Sequence, residues 1–254
     1  MTRLADVRLR RERVPSFERY PFSLPAVRAL HRLELHPAVT YFVGENGTGK
    51  STLLEAMAVA CGFNPEGGAM HEVEFGTHAS HSELHRYLAV ELPPLLSRRG
   101  YFLRAESFYN VATAVEAQDE EDWARALPRR TRDLYGGRKL HEQSHGESFL
   151  ALFEHRLHGD MLVLLDEPEA ALSPLRQMAF LTLLHRHVRD GAQFVIASHS
   201  PIVLAYPDAW IYQFDEQGIR RTQYEETEHF NVYRDFLQNR GASLRILLDD
   251  EDQS

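Results

Sequence analysis

The 254-residue sequence predicts an α/β fold with a mostly parallel core sheet. Two observations lead to this prediction. Short apolar segments bounded by turn residues alternate with segments whose apolar residues recur at helical spacing, and this alternation is typical of parallel sheets covered by helices. In addition, a glycine-rich stretch at 44–51, GENGTGKS, separates a predicted strand from a predicted helix. A loop in that position commonly binds phosphate.

The first part of the chain is predicted to hold strands at 7–13, 30–36 and 40–43, separated by proline-bearing turns. A helix is predicted at 51–61, where apolar residues recur at helical spacing before Gly62 stops the pattern. From 64 to 145 the periodicity weakens and the composition becomes first acidic and then basic. We interpret this segment as an inserted, mostly helical lobe.

Regular periodicity returns after the lobe. The sequence predicts a helix at 147–157, a strand at 161–165, a helix from Ser173 to 191 and a strand at 193–197. Ser173 and Pro174 suit the N-cap and the first helical position. A hairpin at 210–224 and a helix at 227–239 follow. We therefore predict a single domain over 1–248 with an acidic tail at 249–254.

Composition and charge exclude several classes of protein. The net charge of −9 argues against a general affinity for nucleic acid, and the single cysteine, Cys61, excludes an intrachain disulfide and a cysteine-rich zinc site. No window approaches the roughly 18 continuous apolar residues of a membrane span. The start, MTRLADVRLRRERVP, lacks an apolar signal-peptide core. These features predict a cytoplasmic protein without an integral membrane segment.

The glycine-rich stretch fits the phosphate-loop pattern G-x-x-x-x-G-K-[ST], with a strand before it and a helix after it. Its backbone N–H groups can surround phosphate oxygens. Lys50, one of only two lysines in the chain, would reach the β- and γ-phosphates, and the Ser51 hydroxyl would bind Mg²⁺. An ordinary glycine-rich turn is the alternative. The predicted nucleotide-binding residues are Gly44, Glu45, Asn46, Gly47, Thr48, Gly49, Lys50, Ser51 and Thr52.

Two further strands are predicted to end in catalytic side chains. MLVLLDE at 161–167 brings Asp166 to a strand end, where it can hold the Mg²⁺ shell, and places Glu167 to polarise an attacking water as general base. His199 comes two residues after the strand at 193–197, where it can contact the γ-phosphate and that water. The alternatives are a surface acidic turn for the first pair and a helix cap with an incidental histidine for the second.

Taken together, these segments resemble the ATP-binding cassette (ABC) superfamily of P-loop ATPases, and in particular the stand-alone ATPases related to the SMC, break-repair and OLD-type nuclease ATPase heads. The resembling stretches are VTYFVGENGTGKSTLLEAMA (39–58), RAESFYNVA (104–112), EQSHGESFLALF (142–153), MLVLLDEPEAALSP (161–174) and FVIASHSPIVLAYPDAWIY (194–212). The resemblance implies a P-loop NTPase of ABC-ATPase-like architecture, with N-terminal antiparallel strands, that hydrolyses ATP with Mg²⁺.

The resemblance also implies a site shared between two chains. QSHGE aligns with the family signature L-S-G-G-Q, so that Ser144, His145, Gly146 and Glu147 occupy its last four positions. In the family this signature binds the γ-phosphate of ATP held by the partner subunit, which implies a homodimer on ATP binding. Both His145 and Glu147 depart from the family pattern. The alternative is a helix capping box formed by Ser144 and Glu147.

Two assignments depend on weaker parts of the resemblance. Glu106 stands where the family usually has its Q-loop glutamine, which implies a role at the metal, although glutamate is a departure. Tyr20, Phe17 or Phe22 could stack on adenine, but ordinary core packing also explains each of them.

Three functional classes remain open from the sequence. The first is a dimeric ATPase in DNA maintenance or in defence against foreign DNA. The second is the nucleotide-binding subunit of a transporter, although 64–143 lacks the apolar groove expected for a membrane coupling helix. The third is an ATP-dependent switch module for a separate effector nuclease. DNA or an effector protein is therefore a possible partner.

Overall fold

The computed structural model describes residues 4–65, 67–69, 82–92, 100–104 and 145–248. The described strands are β1 Asp6–Leu9, β2 Arg32–Glu34, β3 Val39–Gly44, β4 Gly68–Ala69, β5 Leu88–Val90, β6 Gly100–Arg104, β7 Leu162–Asp166, β8 Gln193–Ala197, β9 Trp210–Asp215 and β10 Gly218–Thr222. The described helices are α1 Pro25–Ala29, α2 Lys50–Ala60, α3 His145–Arg156, α4 Pro174–Arg189, α5 Pro201–Leu204, α6 Glu228–Gln238 and α7 Arg240–Leu248.

Seven of the described strands form a central sheet, in the order β10-β9-β3-β8-β7-β6-β4. The five strands from β9 to β6 are mutually parallel, and only β10 and β4 run antiparallel to their neighbours. This topology confirms the predicted mostly parallel core. It also brings the carboxyl ends of β3, β8 and β7 side by side, so the loops that follow these strands meet at one edge of the sheet.

The N-terminal strands form a second, antiparallel sheet in the order β2-β1-β5. This sheet confirms the predicted antiparallel strands, but the prediction that the first strand continues to residue 13 is wrong. The chain leaves the sheet after Leu9 and forms a 3₁₀ turn at Arg11–Arg13. The Arg11 guanidinium donates to the carbonyl oxygens of Arg28 (2.6 Å) and Leu30 (3.2 Å), which favours the turn over a longer strand.

Two apolar cores flank the large sheet. Helix α2 lies between the two sheets, where Leu53, Met57 and Phe42 belong to one buried cluster. Helices α3 and α4 cover the opposite face, and there Phe153 lies 5.0 Å from Phe180 between ring centroids. Because the central strands are buried on both faces, their sequences are almost continuously apolar.

The segment predicted as a mostly helical lobe contains strands where it is described. A 3₁₀ turn at Glu83–Tyr87 leads into β5, and β6 pairs with β7 in the central sheet. Residues 100–104 are therefore a strand within the segment predicted to be mostly helical. Five residues are too few to show a period of 2 or of 3.6, so the pattern could not identify this strand. Residues 105–144, about half of the predicted lobe, and the acidic tail at 249–254 lie outside the described residues.

The C-terminal part follows the prediction closely and then extends it. The predicted hairpin is formed by β9 and β10, and α6 matches the predicted helix at 227–239. Helix α7 is an addition that the periodicity did not reveal, and it buries no side chain. None of the helices in the described ranges combines the length and the apolar character that crossing a membrane requires.

Candidate functional site

The glycine-rich loop joins β3 to α2 at the edge of the sheet where the parallel strands end. Gly44 closes β3 with a φ of +150°, and a Cβ atom at this position would collide with the backbone oxygen of Phe214 on β9. Gly49 has a φ of +100° and forms the N-cap of α2. Glycine at these two positions therefore allows the loop to turn tightly between the neighbouring strand and the helix N-terminus.

Lys50 is buried within this loop, with 3% of its surface exposed. Its Nζ atom donates to the carbonyl oxygens of Gly44 (2.7 Å) and Glu45 (2.8 Å). Burial lowers the pKa of Lys50, and the carboxylates of Glu167 and Asp166 act in the opposite direction. The loop thus holds a cationic side chain beside its own backbone N–H groups, an arrangement that suits an anionic ligand.

Asp166 ends β7 next to the first turn of α2. Ser51 Oγ donates to Asp166 Oδ1 at 2.9 Å, and Arg104 Nε lies 3.5 Å from Asp166 Oδ2. Arg104 also donates to Glu55 Oε2 at 2.7 Å. Burial raises the pKa of Asp166 to about 6. The Ser51 hydroxyl and the Asp166 carboxylate are hard oxygen donors, the kind that Mg²⁺ prefers, so this pair fits the ion chemically.

Glu167 follows Asp166 in a left-handed backbone conformation, with φ and ψ both at 52°. Its side chain is 41% exposed, in contrast to buried Asp166, and His199 Nε2 lies 3.4 Å from Glu167 Oε1. A non-glycine residue in this conformation costs about 1–2 kcal/mol. The unusual backbone directs two adjacent carboxylates into two different environments.

His199 follows β8, the strand between β3 and β7. Its backbone N–H donates to Glu169 Oε1, and its Nδ1 lies 3.0 Å from Nε2 of His229 on α6. Burial, followed by the positive charge of Lys50, lowers the pKa of His199. Burial disfavours the charged form of Glu169 as well, and for a carboxyl group this raises the pKa. His199, Glu167 and Lys50 therefore form one electrostatically connected group.

Two residues that contact His199 were not predicted from the sequence. Glu169 lies two residues after Glu167 within DEPEA, and its acidic character was a signal that could have drawn attention to it. His229 is 30 residues from His199 in the sequence, and no spacing rule links a strand end to a helix that far away. Only the packing of α6 against the region after β8 brings His229 to the site.

The predicted trans site lies at the start of α3. His145 is the first residue of this helix. A Cβ atom on Gly146 would come within 2.9 Å of the Ala171 carbonyl oxygen and 2.7 Å of Arg176 Nη1, and Arg176 Nη2 donates to Glu147 Oε1 at 2.8 Å. Within one chain, this helix end is thus held against the loop before α4. Ser144 lies outside the described residues.

The remaining predicted site residues have the following positions. Thr48 Oγ1 donates to the Glu45 carbonyl oxygen at 2.8 Å, which stabilises the turn. Asn46 and Gly47 are exposed at its tip, and Thr52 lies in the first turn of α2. Glu106, proposed at the metal, lies outside the described residues. Within the described ranges, no group of three or more His, Cys, Asp or Glu side chains forms a further candidate metal site.

The three aromatic candidates for adenine stacking occupy different surroundings. Phe22 is fully buried in the core, and Phe17 lies under Arg11, with 4.4 Å from the guanidinium carbon to the ring centroid. Tyr20 is 63% exposed. The segment that carries these residues continues to Leu24, whose Cδ1 lies 3.4 Å from the position of a Cβ on Gly49. Tyr20 is therefore the candidate that core packing does not explain.

Comparison with known proteins identifies relatives at the level of sequence and fold. Residues 148–205 match a family described as "AAA domain, putative AbiEii toxin, Type IV TA system", and residues 22–87 match a family described as "AAA domain". The chain is 32% identical to the hemin import ATP-binding protein HmuV of Nocardia farcinica over 208 residues, which cover 75% of this chain and 69% of the relative. The HmuV protein of Myxococcus xanthus is 31% identical over 184 residues, covering 66% of this chain and 67% of the relative.

Among solved structures, the chain resembles one described as "An inward-facing conformation of a putative metal-chelate type ABC transporter". The TM-score is 0.53 at 17% identity, and the match covers 92% of this chain and 88% of the other. Identity this low supports a shared fold alone.

Proposed function

This chain belongs to the ATP-binding cassette family of P-loop ATPases, and from that premise we propose that it hydrolyses ATP between its phosphate loop and the ends of β7 and β8. One observation carries the proposal. Glu167, which follows the buried Asp166, is half-exposed and lies 3.4 Å from His199 across this edge of the sheet. A carboxylate and a histidine beside a cationic phosphate loop are the groups that a phosphoryl transfer to water requires.

In this proposal the loop 44–52 binds the phosphates of ATP, and Lys50 supplies the positive charge. Its Nζ donates to the carbonyl oxygens of Gly44 and Glu45, which places the cationic group within the loop. Ser51 and Asp166 would hold Mg²⁺, and Glu106 is a further candidate from the sequence. When bound, Mg²⁺ supplies positive charge that offsets the charge of the β- and γ-phosphates.

Glu167 acts as the general base. It accepts a proton from a water molecule that attacks the γ-phosphorus, while the bond from that phosphorus to the bridging oxygen breaks and ADP leaves. His199 donates from Nε2 to the transferred phosphoryl group and keeps the water in line. The contact of buried Asp166 with Ser51 and the greater exposure of Glu167 beside His199 support this division of roles between neighbouring carboxylates.

We further propose that ATP closes a homodimer in which Ser144, His145, Gly146 and Glu147 contact the nucleotide of the partner subunit. The position of Gly146 and Glu147 in the first turn of α3 supports this role, because helix N-termini favour anions. Arg176 adds a cationic side chain at the same place. The proposal keeps 1–248 as a single domain, with 64–145 inserted.

For the biological role, we propose DNA maintenance or defence against foreign DNA, with DNA or a separate effector as partner. The match to a family whose description names a toxin system supports this role. A second candidate is the nucleotide-binding subunit of an ABC transporter, which the identity to hemin import ATP-binding proteins supports. Stimulation of hydrolysis by duplex DNA favours the first role. Co-purification of an integral membrane protein from detergent extracts favours the second.

Glu167→Gln tests the proposed activity. Removing a positioned general base lowers the rate by about 10²–10⁴-fold. We therefore expect steady-state phosphate release to fall by that factor while ATP binding remains. The matched control is Glu216→Gln, an exposed carboxylate in the β9–β10 turn, which should hydrolyse ATP like the wild type. Hydrolysis by Glu167→Gln within a few-fold of the wild type would rule out Glu167 as the base.

A further inference from the structure

Two histidines from distant parts of the chain meet beside the phosphate loop. His199 Nδ1 and His229 Nε2 are 3.0 Å apart. The centroids of the two rings are 5.1 Å apart, and the ring planes form an angle of 49°. The two nitrogens are within hydrogen-bond distance, so one ring must donate and the other must accept. The direction of this bond determines which nitrogen of His199 carries a proton.

Both rings are neutral at neutral pH. Burial, the largest influence, lowers the pKa of each ring, and the nearby Lys50 lowers both further. The acidic groups that oppose this effect are Glu167 and Glu45 at His199, and Glu45 and Glu228 at His229. Each neutral imidazole carries a single N–H, so the pair has two protons for four nitrogens.

The surroundings of the other His199 nitrogen decide the direction. His199 Nε2 lies 3.4 Å from Glu167 Oε1, and an ionised carboxylate can only accept a hydrogen bond. A lone pair on Nε2 would repel this carboxylate and would also repel a phosphate. The proton of His199 therefore belongs on Nε2, which leaves Nδ1 as an acceptor for the N–H of His229.

We propose that His229 is a positioning residue for ATP hydrolysis: by donating from Nε2 to His199 Nδ1, it fixes His199 as the tautomer whose Nε2–H points to the reacting phosphate. This role rests on the proposed function, since it acts through His199. It makes the N-terminus of α6 a part of the active site, although α6 is separated from the phosphate loop by most of the chain.

The structure holds His229 firmly enough for this task. Thr227 caps α6, because its Oγ1 accepts from the backbone N–H of Phe230 at 3.3 Å and donates to the Tyr224 carbonyl oxygen at 2.7 Å. The Tyr224 hydroxyl donates to the Pro201 carbonyl oxygen at 2.8 Å, just beyond His199. The turn before α6 is thereby tied to the segment that carries His199, so the two rings are fixed relative to each other.

The unused nitrogens of the pair agree with this assignment. Among the described residues, neither His199 Nε2 nor His229 Nδ1 makes a hydrogen bond, although both atoms are buried. An unpaired buried N–H is costly, and it is found where a ligand completes the bond. In the proposed tautomer, His199 Nε2–H is that donor, and the γ-phosphate is its acceptor.

The test compares His229→Leu, which removes the donor, with His229→Gln, whose side-chain amide can still donate. Long-range ¹H–¹⁵N correlation spectra of the histidine rings report the tautomer of His199 directly, and spectra of His199→Gln assign its signals. At pH 8 and without nucleotide, we expect the Nε2–H form in the wild type and in His229→Gln, and a mixture of tautomers in His229→Leu. This measurement does not depend on whether the protein hydrolyses ATP.

Steady-state kinetics supply the second readout. For a histidine that ligates a metal, loss of the outer partner that orients the ring costs about 10- to 100-fold in activity, and we take the same range for a histidine that contacts phosphate. We expect kcat of His229→Leu to fall by about that factor with KM for ATP within about twofold, and His229→Gln to recover to within about fivefold of the wild type. His185→Leu is the matched control, because His185 also contacts a side chain, Tyr206, but outside the site.

The possible outcomes separate this proposal from the proposed function. If His229→Leu keeps the wild-type kcat, or if His199 keeps a single Nε2–H tautomer in that variant, the positioning role is wrong. If kcat falls equally in His229→Leu and His229→Gln, and if each fall matches the loss of melting temperature, the contact between the two rings is only structural. If the wild type itself does not hydrolyse ATP, the proposed function fails, and the spectra alone decide the tautomer.

Discussion

Asp166 and Glu167 are adjacent in sequence but have different surroundings. Asp166 is buried beside Ser51 and Arg104, whereas the left-handed backbone at Glu167 turns the next carboxylate towards solvent and His199. Two carboxylates in different environments can take different roles in one reaction. In the proposed mechanism, Asp166 holds the metal and Glu167 activates the water.

Lys50→Ala is expected to abolish the stabilisation of the protein by Mg·ATP. The Nζ atom of Lys50 is the cationic group within the loop, and its two hydrogen bonds to Gly44 and Glu45 cost little to lose compared with the phosphate contact. Ligand that binds the folded state at about 100 times its Kd stabilises by about 2.7 kcal/mol. Thermal unfolding with and without Mg·ATP measures the difference.

The control for Lys50→Ala is Arg189→Ala, which removes an exposed basic residue at the end of α4. This variant should show the full ATP-induced shift. The apo form of Lys50→Ala should remain folded, with a melting temperature at most modestly below that of the wild type. An ATP-induced shift equal to that of the wild type would remove Lys50 from the binding site.

Tyr20→Ala is expected to weaken ATP binding. Tyr20 is 63% exposed, and its segment continues to Leu24 beside the phosphate loop, so the ring is available to stack on adenine. Stacking of a base on an aromatic ring contributes about 1–3 kcal/mol, which corresponds to a rise in Kd of roughly 5- to 150-fold. Calorimetric titration with a non-hydrolysable ATP analogue measures it. Tyr233→Ala, which removes another exposed tyrosine on α6, is the control; equal affinities in the two variants would exclude Tyr20.

At the scale of elements, the register of β3 against β9 fixes the start of the phosphate loop. Gly44 pairs with Phe214, and no side chain fits between them. At Gly47 a Cβ atom would meet nothing within 4 Å, although φ is +81°. Gly47→Ala should therefore cost about 1–2 kcal/mol of stability from backbone strain alone. Gly44→Ala should cost more, because β9 or the loop must also move.

Denaturant unfolding of these two variants tests this account of the loop. We expect Gly44→Ala to have the lower midpoint and also the weaker ATP affinity, since displacement of β3 moves the backbone N–H groups of the loop. Gly47→Ala is the matched comparison, because it introduces backbone strain without a close contact to β9. A midpoint for Gly44→Ala at or above that of Gly47→Ala would contradict the close packing of β3 on β9.

Elements with a long periodic pattern could be predicted from the sequence, and contacts between distant elements could not. The strand–loop–helix at 39–60 and the apolar strands β7 and β8 were visible because each pattern is local. Strand β6 was missed because five residues show no clear period, and α7 was missed because it buries no face. His229 was missed because tertiary packing alone brings it to His199.

For the whole molecule, we propose that one chain supplies only part of the contacts to each ATP. Lys50, Ser51, Asp166, Glu167 and His199 come together at the edge of the sheet, whereas the first turn of α3 lies against Ala171 and Arg176. A second copy of the chain would bring the missing half.

Mixing two inactive variants tests this shared site. Lys50→Ala damages the phosphate loop, and Ser144→Arg places a bulky side chain in the signature. In a mixed dimer, one composite site carries both defects and the other carries neither. We expect ATP hydrolysis to reappear in the mixture, provided that a single intact site can turn over. Each variant alone is the control, and a mixture as inactive as its components would argue against composite sites.

Sedimentation velocity of Glu167→Gln with and without Mg·ATP directly tests whether ATP joins two copies of the chain. ATP that joins two surfaces must bind the dimer more tightly than the monomer, so ATP must also promote dimerisation. We expect a monomer without nucleotide and a dimer with ATP, because the variant should bind ATP without hydrolysing it. Adding Ser144→Arg should return the protein to a monomer. A double variant that still dimerises with ATP, or a Glu167→Gln protein that stays monomeric at saturating ATP, would contradict this expectation.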